Sequence, residues 1–197
     1  IQLVKTGKAR AHTNIALIKY WGKADEALII PMNNSLSLTL DKFYTETRAT
    51  FDAQLDRDYF YLNGEEVDEK ETQKISAYLD LVRERAGTAL HARIDSTNFV
   101  PTAAGLASSA SAFAALAAAC NEALEMNLSD KDLSRLARRG SGSASRSIFG
   151  GFAEWEKGHD DESSYAHAID ADHWEDDLAM IFVVINLKRL KVVQGCR

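Results

Sequence analysis

Residues 101–110 read PTAAGLASSA, and residues 111–120 continue as SAFAALAAAC. Pro101 sets the approach of the chain, and Gly105 lets the backbone turn tightly or come close to a ligand. From about residue 108 to 124 nearly every side chain is small and apolar, which predicts a helix covered on both flanks. Ser108 and Ser109 stand where that helix begins, beside unpaired N–H groups and the positive end of the helix dipole. Such a terminus suits a phosphate chain, with hydroxyls available to phosphate or a metal ion. It suits an ordinary helix cap equally well. The segment matches neither the G-x-x-x-x-G-K-[ST] loop nor G-x-G-x-x-G.

A helix of this kind needs a sheet to lie on, and the first half of the chain supplies one. Residues 34–40 (NSLSLTL) and 43–51 (FYTETRATF) alternate polar and apolar, which predicts two half-buried strands. Residues 58–62 (DYFYL) lead into Asn63-Gly64, a strong hairpin signal. An amphipathic helix over 69–86 and a strand over 89–95 follow. Beyond the apolar helix, Ser129 caps a helix over about 130–139 that Gly140 ends. Residues 151–157 and 178–187 read as strands, the latter buried on both faces. Strands first and helices packed on one face give an α+β chain.

The balance of charge narrows the function. With 23 Lys and Arg against 29 Asp and Glu, the net charge is −6, which disfavours a nucleic-acid partner. No apolar stretch is long enough for a membrane span, and residues 1–8 lack a signal-peptide core. Cys120 reads as a small buried hydrophobe, and with Cys196 forms neither a disulfide framework nor a zinc pattern. The expected location is the reduced cytoplasm. An anion site on this chain must be local.

Two further stretches offer one. In RRGSGSASRSIFGG (138–151), glycines bracket serines and Arg146, and a guanidinium with hydroxyls suits phosphate or carboxylate. Its placement between a helix and a strand argues for order over a flexible linker. In ARAHTNIALIKYWGK (9–23), Lys19, Tyr20, Trp21 and Lys23 could hold an anionic, partly apolar ligand or form a solvated strand end. His12 has no partner at ligand spacing and reads as structural. Asp160, Asp161 and Glu162, like Asp176 and Asp177, read as solvated loops.

Taken in this order, the three stretches resemble one family. PTAAGLASSA is similar to the phosphate-binding motif of the small-molecule kinases that include galactokinase, homoserine kinase, mevalonate kinase and phosphomevalonate kinase. ARAHTNIALIKYWGK and RRGSGSASRSIFGGFAEW resemble diphosphomevalonate decarboxylases, bacterial forms in particular, from about Gly7 to Leu187. The resemblance implies an N-terminal domain of the ribosomal protein S5 domain 2-like type, with residues 1–187 binding nucleotide and substrate. It implies ATP and Mg²⁺ as cofactors, mevalonate 5-diphosphate as substrate, and a homodimer when full length.

By the same resemblance Pro101, Gly105, Leu106, Ala107, Ser108 and Ser109 belong to the nucleotide-phosphate loop, with Ser109 also touching the metal. Arg146 faces the substrate carboxylate, and catalytic roles fall to Arg146 and Ser109. Ser141 and Ser143 meet the diphosphate or neighbouring groups, and Lys19, Tyr20, Trp21, Lys23 and Asn14 hold the diphosphate end. Ser145 stands where many relatives have Cys. The family's catalytic aspartate is expected in a C-terminal, ferredoxin-like half absent from these residues. Residues 188–197 (LKVVQGCR and the two before it) depart from the pattern as an atypical tail, so 1–197 is expected to bind without turning over. The alternatives are a mevalonate or phosphomevalonate kinase, or a non-catalytic nucleotide-binding fragment.

Overall fold

A computed structural model of the chain describes residues 3–100 and 108–181. Pro101, Gly105, Leu106 and Ala107 lie outside the described residues, as do the tail at 188–197 and the strand expected over 178–187 from 182 onward.

The chain begins with β1 (Val4–Ile18), the short pair β2 (Lys23–Asp25) and β3 (Ile30–Pro31), and a long β4 (Ser35–Asp52). The two strands expected at 34–40 and 43–51 are therefore one. Exposed Asp41 and Lys42 interrupt the alternation in sequence but keep an extended backbone. β1 pairs antiparallel with β4 along its length, with register shifts between His12 and Asn14 and between Ala16 and Ile18. Such shifts re-aim the side chains beside them. Here Asn14 is one of those residues.

β5 (Tyr59–Leu62) turns through Asn63 and Gly64, with φ of 53° and 86°, into β6 (Glu65–Glu66). Two successive positive φ values are what the Asn-Gly signal anticipates. α1 (Glu69–Ala86) follows, capped by Asp68, whose carboxylate accepts from the Glu71 N–H, and closed by Gly87 in the left-handed region. β7 (His91–Asn98) then pairs with residues 45–52 of β4 and, in parallel, with β5.

After the second undescribed stretch come α2 (Ser109–Ala123) and α3 (Asp130–Gly140), a 3₁₀ segment at Gly142–Ile148, β8 (Phe152–Trp155) and β9 (Ala166–Ile169). β8 pairs with residues 35–38 of β4, so the edge of β4 away from β1 carries β7 on one half and β8 on the other. The chain is α+β, as its sequence pattern predicts. Residues 178–181 are not strand, and Leu178, Met180 and Ile181 are exposed, which corrects the expectation of a buried strand there.

Alternation decides which sheet face is covered. Ala49, Phe51, Ala92 and Ile94 turn inward to Leu79 and Val82 of α1 and to the alanines of α2. Lys8, Arg48 and Arg93 turn out to solvent. Burying each of the large side chains contributes about 1.5–3 kcal/mol. The small residues of α2 have their own reason. A Cβ on Gly7 of β1 would lie 2.3 Å from the Ala119 carbonyl oxygen and 2.4 Å from the Ala123 nitrogen. Helix and strand meet almost backbone to backbone, and only glycine facing alanine allows it.

Candidate active site

The N-terminus of α2 is pinned by hydroxyls. Ser111 Oγ lies 2.9 Å from Thr45 Oγ1 and 3.1 Å from the Ser108 carbonyl, and Thr13 Oγ1 donates to it at 3.2 Å. Thr13, Thr45 and Ser111 are all buried. Ser108 caps the helix from an αR conformation without a side-chain hydrogen bond, so its hydroxyl is not spent on the helix. Of the two readings the sequence left open for Ser108, the ordinary side-chain cap is not formed. Ser109, one residue on, is exposed, and Ser141 Oγ donates to its hydroxyl at 3.4 Å.

Ser141 and Ser143 belong to the turn out of α3, their hydroxyls 3.4 Å apart. The Gly/Ser run is held by hydrogen bonds of its own serines. Ser145 Oγ donates to the Gly142 carbonyl at 2.7 Å, and Ser134 Oγ of α3 donates to the Ser145 carbonyl. Gly142 is required by contact: a Cβ there would sit 2.6 Å from the Trp155 ring and 3.2 Å from Tyr20 Oη. Tyr20 meets Trp155 edge to face, with ring centroids 4.9 Å apart.

Beneath these serines lies Arg146, 2 % exposed. Its Nη1 donates to Ser35 Oγ at 2.5 Å and its Nη2 to Asn14 Oδ1 at 3.3 Å. Asn14 Nδ2 in turn donates to the Ser143 carbonyl at 3.0 Å and to Ser147 Oγ at 2.7 Å. The guanidinium lies 5.9 Å from the centre of the Trp155 ring. Among the described residues its buried Nε has no hydrogen-bond partner. Among the described residues Arg146 has no ion pair, and burial draws its pKa down to about 10. A buried cation without a counter-charge costs free energy unless something else supplies the charge.

The geometry thus gathers Asn14, Tyr20, Ser109, Ser141, Ser143 and Arg146 from separate parts of the chain. It does not gather the rest. Lys19 is exposed, Trp21 is 84 % exposed, and Lys23 is paired with Glu26 at 2.9 Å. Among the described residues none of their side chains hydrogen-bonds the cluster. Sequence reasoning missed Ser35, Thr13, Thr45 and Ser111. Alternating serines and leucines in 34–40 suggested polar residues on the wet face, whereas Ser35 and Ser37 are both buried.

Two other polar groupings are accounted for by their own contacts. Asp161, expected in a solvated loop, instead accepts from Arg135 at 2.6 Å and from fully buried Arg138. Glu154, Glu156 and His167 come together on β8, its end and β9. Asn34 Nδ2 bridges both carboxylates at 2.9 and 2.8 Å, and His167 Nε2 lies 3.1 Å from Glu156, so hydrogen bonds explain this cluster without a cation.

A family profile described as the diphosphomevalonate decarboxylase-like N-terminal domain matches residues 11–166, a span that holds every member of the gathered cluster. The chain belongs to that family. Relatives of this decarboxylase-like domain include diphosphomevalonate decarboxylases from Ganoderma lucidum, 41 % identical over 92 % of this chain and 50 % of the relative, and from Homo sapiens, 40 % identical over 91 % and 49 %. Among solved structures, mevalonate diphosphate decarboxylase from Staphylococcus aureus is 73 % identical with a TM-score of 0.87, over 89 % of this chain and 53 % of that one. The Enterococcus faecalis enzyme, solved for the mechanism by which mevalonate diphosphate mediates its ATP binding, is 66 % identical with a TM-score of 0.85, over 87 % and 54 %. The chain spans about half the length of the curated relatives it matches.

Proposed function

We propose that this chain supplies the nucleotide- and substrate-binding half of an ATP-dependent decarboxylase acting on mevalonate 5-diphosphate. The products are isopentenyl diphosphate, ADP, phosphate and carbon dioxide. The observation that carries the reading is Arg146: a buried guanidinium that, among the described residues, has no counter-carboxylate and an unpartnered Nε. A substrate carboxylate supplies both missing partners, since Nε and a neighbouring Nη present parallel donors to its two oxygens.

The reaction asks for positioning more than for covalent chemistry. The tertiary 3-hydroxyl oxygen attacks the γ-phosphorus of ATP, its proton passing to the catalytic aspartate that the family resemblance implies, and the bond to ADP breaks. The phosphate then leaves with the C3–O electron pair, while the electrons of the bond to the carboxylate form the new double bond and carbon dioxide departs. Arg146 orients the carboxylate in a dry site. The hydroxyls of Ser141 and Ser143 meet the diphosphate or neighbouring groups, with Tyr20 and Asn14 as the wall behind them. Lys19, Trp21 and Lys23 join them from the exposed end of β1 once the substrate is present.

The nucleotide phosphates fall to the start of α2, where Ser109 is exposed and the helix N–H groups converge. Pro101, Gly105, Leu106, Ala107 and Ser108 complete that loop. Uncharged hydroxyl oxygens such as Ser109 fit Mg²⁺, a hard cation that takes few protein ligands and fills the rest from phosphates and water. When bound, the ion neutralises charge on the phosphates. We further infer a cytoplasmic enzyme that forms a homodimer at full length.

The test is Arg146→Ala in the full-length protein. Decarboxylation is expected to be abolished while ATP affinity stays within about a few-fold. Near-normal turnover contradicts the assignment of the substrate site.

A further inference from the structure

Five N–H groups of Arg146 need an arrangement that leaves the right edge open, and two residues provide it. Asn14 holds Nη2 with a bond of 3.3 Å. Ser35 holds Nη1 with a shorter one of 2.5 Å, from a hydroxyl that is 1 % exposed. The register of β4 against β8 places Ser35 directly opposite Trp155, the residue whose ring lies by the same guanidinium. Sheet pairing therefore delivers an acceptor and an aromatic surface to one cation. With Ser35 and Asn14 satisfied, Nε is the nitrogen left without a partner among the described residues, beside the second N–H of each Nη.

We propose that Ser35 is a positioning residue for the carboxylate end of the substrate, acting through Arg146 rather than by contact. The inference rests on the reading of Arg146 as the group that receives the carboxylate. With Ser35 in place, the guanidinium plane is set before the ligand arrives and the carboxylate meets a fixed pair of donors. Without it, one 3.3 Å bond to Asn14 and the indole contact hold the group, and turning it back falls as a cost on binding.

The strand carries its own control. Ser37, two residues along β4, is fully buried, and among the described residues its hydroxyl has no hydrogen-bond partner. It makes no hydrogen bond with Arg146. A general cost of removing a buried serine hydroxyl from this strand appears at both positions. An effect through Arg146 appears at Ser35 alone.

The experiment is calorimetric binding to the full-length protein of mevalonate 5-diphosphate and of isopentenyl diphosphate, which keeps the diphosphate and lacks the carboxylate. Ser35→Ala is expected to weaken the first by roughly tenfold, the effect of one charge-assisted hydrogen bond, and to leave the second within about twofold. Ser37→Ala is expected to move neither ligand. Ser35→Cys, a near-isosteric change to a weaker acceptor, covers the case in which the alanine variant does not fold, and is expected to lose selectivity by about several-fold. Wild-type affinities in a Ser35 variant overturn the proposal, as does equal weakening of both ligands. Arg146→Ala separates the two levels. If it loses the carboxylate-bearing ligand selectively while Ser35→Ala does not, positioning by Ser35 fails and the carboxylate reading stands. If Arg146→Ala does not distinguish the ligands, the carboxylate reading itself falls and takes the role of Ser35 with it.

Discussion

Arg138 and Arg146 lie eight residues apart by number, both almost wholly buried, and both have their pKa drawn down by burial. Their surroundings differ. Arg138 donates to the Leu28 and Ser164 carbonyls and pairs with the Asp161 carboxylate, so charge and hydrogen-bond geometry are both satisfied within the protein. It ties α3 to the turn before β9 and to the loop before β3. Arg146 is held by two neutral side-chain oxygens, and among the described residues its Nε has no partner. A buried cation that is saturated is architecture. One left open is a place for an anion.

The sharpest way to break this contrast is to remove each guanidinium in turn. Arg138→Ala is expected to destabilise the fold by about 1–3 kcal/mol, because the Leu28 and Ser164 carbonyls lose a donor while Asp161 keeps Arg135, and thermal unfolding reads this directly. Arg146→Met fills the same space without a charge. It is expected to leave stability within about 1 kcal/mol of the parent or above it, while lowering turnover of the full-length protein by roughly 10²–10³. Equal losses of stability at both sites contradict the distinction.

Gly142→Ala sharpens the link between the site and its support. The added methyl meets Trp155 at 2.6 Å and Tyr20 at 3.2 Å, so a loss of about 1–3 kcal/mol is expected together with weaker substrate binding.

Acidity separates the two arginines further. Burial pushes the Asp161 carboxyl up, but hydrogen bonds and charge from Arg135 and Arg138 outweigh it and hold the group below its ordinary value. A carboxylate lowered in the folded state stabilises the fold above its unfolded pKa of about 3.9, and that contribution fades as pH falls through the lower folded value. Asp161 keeps 35 % of its side chain exposed, so solvent screens the effect. Unfolding followed from neutral pH to below pH of about 4 is expected to show a shallower acid loss in Asp161→Asn than in the parent. The smallest effect is at the nucleotide end. Ser109→Ala is expected to weaken ATP binding by about two- to tenfold, and a change confined to the substrate constant contradicts the phosphate-loop reading.

Much of this organisation was legible in the residues. The start of α3 at Ser129 follows local capping chemistry, which acts over a few residues and leaves a mark in them, whereas Gly140, expected to end that helix, is its last residue and Ser141 is the cap. The Asn63-Gly64 turn is equally local. Asn14, Ser141, Ser143 and Arg146 were reachable through the family motifs. What stayed hidden depends on partners far along the chain. The interruption at Asp41-Lys42 falls where the register with β1 shifts from Tyr44 to Thr39, and pairing on either side of it keeps β4 one strand. Asp161 sits in an acidic stretch that reads as solvated until α3 brings three arginines within 4 Å of it. Ser35 alternates with leucine like any half-exposed strand residue, and only the return of β8 covers it.

The central claim is that the free edge of Arg146 receives the substrate carboxylate, and the proton on its Nε reports on that directly. Nitrogen-edited NMR of the full-length protein, with Arg146 and Arg138 assigned through their substitutions, would follow both Nε protons during titration with mevalonate 5-diphosphate. The account predicts that the Arg146 proton moves downfield and exchanges more slowly with solvent as the ligand binds, while the Arg138 proton stays where it was. Binding that leaves the Arg146 proton unmoved would contradict it.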